Sequence, residues 1–128
     1  MMILIPGAVG ELVDKITILQ IKVERLSSPE QLKNVRYELE LLEQLQATRR
    51  IEGPALEEKM ANLKAINSNL WEIEDHIRDC ERRNDFGGRF IELARSVYKL
   101  NDQRGTIKRE INALFGSTIN EEKSYAPY

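Results

Sequence analysis

Apolar residues fall at Phe90, Leu93, Val97, Leu100, Ile107, Ile111 and Leu114, in alternating steps of three and four. That rhythm predicts one long helix over residues 90–114, laid along another helix. One position breaks it: Arg104 stands where the next apolar residue is due. A guanidinium in or beside a packing seam needs a partner, because an unpaired charge there is costly.

Three further helices are predicted upstream. Residues 1–9 form an N-terminal segment whose apolar stretch, residues 2–6, reads as extended and ends at Pro6 and Gly7. Residues 10–26 carry Leu12, Ile16, Leu19, Val23 and Leu26 on one face of a first helix. Ser27, Ser28 and Pro29 stop it and start the second, with Ser28 as N-cap and Pro29 at the first position. The second helix shows Leu32, Val35, Leu39 and Leu42 and fades near Arg50. Gly53 and Pro54 give another stop-and-start signal. The third runs over residues 54–83, with Leu63, Ile66, Leu70, Ile73, Ile77 and Cys80 on one face. Residues 84–88 turn the chain, Gly116 ends the fourth helix, and residues 117–128 form a tail without period. The expected fold is all-α: a single-domain antiparallel four-helix bundle over residues 1–128. At about 1.5 Å per residue the third and fourth helices reach ~40 Å, so they should project beyond the first pair as a two-helix arm.

The first two helices show more apolar surface than a lone bundle needs. Ile18 and Ile21 lie almost opposite the main stripe of the first helix, and Tyr37, Leu41 and Leu45 repeat the excess on the second. Either the N-terminal segment or the tail covers this surface, or a second copy does. The polar character of the tail favours a homodimer, with Ile18, Ile21, Leu41 and Leu45 as its candidate surface.

Composition narrows the function classes. Of 128 residues, 41% are hydrophobic and 31% charged, an ordinary globular balance, and a net charge of −2 gives no nucleic-acid footprint. The single cysteine, Cys80, fits a reducing compartment. The apolar N-terminus is too short for a membrane span or a signal core, so the cytoplasm is the expected location, with no membrane partner.

Candidate chemistry centres on Arg104. Aligning the helices about their loops brings it level with Asn67 and Glu38, so a Glu38–Arg104–Asn67 network would satisfy the guanidinium. It could instead reach solvent along its aliphatic stem, or hold a ligand. A second candidate is the arm tip. Gly87 and Gly88 precede a helix whose free N–H groups attract anions, with Arg82, Arg83 and Arg89 close by, although neighbouring acids can neutralise them. Glu11 and Asp14 suit the dipole of the first helix, and Glu74 and Arg78 are spaced as an ion pair. His76 and Cys80 supply two of the three or four ligands zinc takes, so neither a metal nor a cofactor is expected, and no catalytic residue stands out.

Four segments carry a resemblance: Gly10-Glu11-Leu12-Val13-Asp14-Lys15-Ile16-Thr17-Ile18-Leu19, Asn69-Leu70-Trp71-Glu72-Ile73-Glu74-Asp75, Phe90-Ile91-Glu92-Leu93-Ala94-Arg95-Ser96-Val97-Tyr98 and Glu121-Glu122-Lys123-Ser124-Tyr125. Across nearly the whole chain the sequence resembles a bacterial domain-of-unknown-function family of small helical proteins. That family is associated with tetratricopeptide-repeat and glycosyltransferase chains in surface-polysaccharide settings. The resemblance implies no activity, but it implies an ordered tail with Tyr125 docked on the bundle. Residues 11–26 are also similar to the first helix of all-helical chorismate mutases, whose several converging cations are missing here. The leading expectation is a non-catalytic interaction or accessory module with a protein partner. The alternative is a binder of, or enzyme acting on, an anionic small molecule.

Overall fold

Helix boundaries arise from local capping. Ser28 Oγ accepts the Gln31 N–H at 3.4 Å, Pro29 opens the helix that follows, and Gly53, at φ 126°, precedes Pro54 at the next start. Arg50 and Asn84 take the left-handed conformation usually given to glycine, at φ 52° and 53°. In both places the following N–H reaches back to close the last turn, Ile51 to Gln46 O and Asp85 to Cys80 O. The computed structural model describes residues 1–128 as four helices and no strand: α1 (Val9–Arg25), α2 (Pro29–Thr48), α3 (Pro54–Arg82) and α4 (Gly88–Leu114). No helix is long and apolar enough to cross a membrane.

Helix α1 is the centre of the molecule. It packs against each of the other three helices, α3 and α4 pack along each other, and α2 touches α1 alone. The apolar core lies where the start of α1, the α2–α3 turn, the start of α3 and the end of α4 meet, around Val13, Ile51, Leu56, Leu63 and Ile111. Ile51 enters this core because the turn closing α2 points it inward. Beyond Arg25, whose guanidinium meets Glu72 at 2.5 Å, α1 ends, and α3 and α4 run on toward the 83–87 turn.

The central position of α1 explains its second apolar strip. Ile21 is 1% exposed within the single chain, and Ile18 is half-buried. Ile21 therefore needs no second copy to cover it, contrary to the reading of its strip as open surface. On α2 the excess stays outside: Leu45 is 43% exposed, Tyr37 more so, and Leu41 half-buried.

The tail has no regular structure, yet it follows α4. Ser117 Oγ accepts the Val9 N–H at 3.1 Å, Glu121 pairs with Lys108, and the Tyr128 ring lies 5.3 Å from that of Tyr98. The contacts step back along α4 as the tail advances. Tyr125, expected to dock, is 80% exposed, because Glu121 and Tyr128 make the contacts instead.

Candidate functional site

Every polar side chain buried between α1 and α4 is paired. The pairings begin at Gly10, whose N–H donates to Asn112 Oδ1 at 2.6 Å. A Cβ at residue 10 would lie 2.4 Å from the Lys108 carbonyl oxygen, so only glycine lets the two backbones come this close. One residue on, Glu11 meets Lys108 at 2.8 Å, and Lys108 also holds Glu121 of the tail at 2.9 Å. Burial draws the Lys108 pKa down, but the hydrogen bonds to Glu11 and Glu121 outweigh it and hold it above its ordinary value. Glu121 is held below the usual carboxylate value by its hydrogen bond to Lys108.

One turn further along α1, Asp14 receives Arg104. Nε donates to Asp14 Oδ1 at 2.9 Å, and Nη2 donates to Oδ2. Asp14 is 2% exposed. Asn67 on α3 completes the arrangement: its Nδ2 donates to Asp14 Oδ1 and to Thr17 Oγ1, both at 2.9 Å. Arg104 Nη1 reaches Asn101 at 3.4 Å. The hydrogen bond to Asp14 raises the Arg104 pKa against the opposing effect of burial, so the guanidinium is firmly charged. Two-pronged pairing of this kind fixes the register between helices as well as contributing energy.

The expected network is thus half there. Arg104 and Asn67 do come together, but Glu38 does not join them, because it sits on α2 and pairs with Lys15 at 2.9 Å. The carboxylate is Asp14, whose place near the helix start also suits the dipole. A signal for it existed: Gly10, Asp14, Thr17 and Ile21 recur at helical spacing and mark a second inward face of α1.

At the arm tip the charges answer one another. Arg82 and Arg83 both reach Asp79, at 3.5 and 3.4 Å, and Asp85 Oδ1 accepts the Gly87 N–H at 3.2 Å. That last bond occupies a backbone donor expected to attract an anion. Gly88 and Arg89 are exposed beside it. Glu74 and Arg78 form the spaced pair loosely, at 3.7 Å. Cys80 is buried, and no group of three or more His, Cys, Asp or Glu side chains comes together to hold a metal.

Two hollows remain. One, of about 710 Å³, opens between α1 and α2 and is walled by Leu12, Leu42, Leu45, Ile51 and Phe115. The other, of about 410 Å³, lies at Trp71 beside the Asp14–Arg104 pair. A family model described as a family of unknown function, DUF6165, matches residues 3–127. The chain belongs to this family. No curated protein and no solved structure matches it. The span matched by DUF6165 takes in nearly all of the N-terminal segment and the tail, so both are parts of the family domain rather than additions to it.

Proposed function

We propose that this antiparallel four-helix scaffold is a non-catalytic interaction module that pairs with a second copy of itself. The supporting observation is the N-terminal segment. Met1, Met2, Ile3, Leu4 and Ile5 are each at least 68% exposed, five consecutive apolar side chains in water. Beside them Ile5 and Pro6 border the apolar hollow between α1 and α2. One chain thus carries an unburied apolar segment and an unfilled apolar groove, and two copies can satisfy each other by exchanging segments. The buried free thiol of Cys80 suits a reducing cytoplasm. In the bacterial surface-polysaccharide setting implied by the resemblance, such a module would serve as an adaptor beside larger chains.

The anionic-ligand alternative has less to support it. The Arg104 charge is answered by Asp14, and two tip arginines share Asp79. Sedimentation at micromolar concentration tests the proposal. The wild-type chain should run as a dimer and an Ile3→Asp, Leu4→Asp double variant as a monomer of unchanged helicity. A monomeric wild type would sink the reading.

A further inference from the structure

We propose that the cleft at Trp71 binds a small, flat, uncharged ligand that carries a carboxamide edge. The cleft is about 410 Å³, the size of a small-ligand site, and its apolar lining is Ile18, Ile21, Leu70 and Trp71. Its polar end is made by two side chains that share one anchor. Asn67 Nδ2 and Arg104 Nε both donate to Asp14 Oδ1 at 2.9 Å, which makes Asn67 and Arg104 neighbours.

Asn67 is the residue that points to a ligand. It is 7% exposed, and both of its hydrogen bonds leave from Nδ2. Its Oδ1 accepts nothing from the chain, yet no fully buried side-chain nitrogen or oxygen is without a partner. Oδ1 therefore reaches the cleft that Asn67 lines. A carbonyl oxygen open at the polar end of a cleft is free to accept from a ligand's donor. Beside it, Arg104 has more N–H groups than Asp14 and Asn101 take up, and it lines the same cleft. An open acceptor next to an open donor matches the N–H and C=O of one carboxamide.

Charge selects against the alternatives. Asp14 already answers Arg104, and on the cleft wall Glu74 and Asp75 face Arg78, which Glu74 meets at 3.7 Å, so the lining is balanced and an anion gains little there. A cation would set its donors against those of Arg104. A flat uncharged ring avoids both conflicts and can stack on the indole.

Three ligands of one shape test the idea: benzamide, benzoate and benzamidine. Trp71 is the only tryptophan in the chain, so its fluorescence reports on the cleft. Benzamide should change it saturably and bind at least about tenfold tighter than either charged analogue. It should also shift the Asn67 side-chain amide resonances. Ile18→Phe, which fills the cleft with apolar bulk, should weaken benzamide by roughly tenfold or more. Equal binding of the three would mean stacking alone and would overturn the proposal. So would an absence of benzamide binding at about 10 mM, or binding that leaves the Asn67 resonances unmoved. Because this cleft is separate from the α1–α2 groove, none of these results depends on the oligomeric state.

Discussion

Helices α1 and α2 lie side by side and both show apolar residues on two faces, yet α1 buries seven residues and α2 buries none. Their sequences do not explain the contrast by length, since α1 has 17 residues and α2 has 20. The difference is in how many neighbours each has. Helix α1 is surrounded by three helices, and α2 has α1 on one side and solvent on the other. An apolar strip is thus not a measure of burial. In α1 the second strip supports internal packing. In α2 it remains largely exposed. The same crowding forces polar residues of α1 inward, and they survive there because each is paired.

Four measurements would break or sharpen this contrast. The largest effect should come from Arg104→Met. It leaves Asp14 buried without its partner and should destabilise the fold by about 3–5 kcal/mol in chemical denaturation. Asp14 cannot turn to water, so the substitution is not the mild change it would be beside an exposed carboxylate. Adding Asp14→Leu to Arg104→Met should restore most of the loss, and failure to do so would mean the pair is not the cause.

Truncations in the two helices should differ next. Ile16→Ala on α1, where the side chain is fully buried, should cost about 2–4 kcal/mol, and Leu39→Ala on half-buried α2 about 1 kcal/mol or less. Equal costs would erase the contrast. Gly10→Ala probes the contact between α1 and α4 directly. The methyl group meets backbone at Lys108, so the helices must separate, with an expected loss of about 1–3 kcal/mol and a fall in melting temperature.

The smallest effect belongs to the tail, which, like α2, is held from one side. Glu121 has a pKa below its ordinary 4.5, so its contribution is present above that value and is lost as pH falls further. Lys108 has a pKa above its ordinary 10.5, so its contribution is present below that value and is lost as pH rises through the raised one. NMR relaxation should show the tail ordered between these limits and mobile in acid. Because Glu121 is half in solvent, global stability should change by under about 1 kcal/mol.

Much of this was legible beforehand. The capping residues Ser28, Pro29, Gly53 and Pro54 marked their boundaries because capping is a local event, complete within a few residues. Arg104 and Asn67 are legible as companions because Arg104 takes an apolar position on its stripe, Asn67 lies beside the stripe of α3, and aligning the helices about their loops brings the two level. Asp14 reads as a complement to the helix dipole because, from α1 alone, an acid near the helix start looks the same whether it faces water or a guanidinium. Glu38 was wrongly brought in because equal height along a bundle says nothing about which helices touch. Tyr125 was favoured over Glu121 and Tyr128 because a familiar motif does not show which of its side chains turn inward.

Periodicity and caps determined four helices, their limits and the presence of one charge in need of a partner, since all of these follow from interactions between residues a few positions apart. Only the tertiary structure decided that α1 lies between the other helices, that α2 stays outside, and that Asp14 is the partner of Arg104. Those outcomes depend on which faces meet across tens of residues of chain, and many pairings satisfy the same periodic pattern.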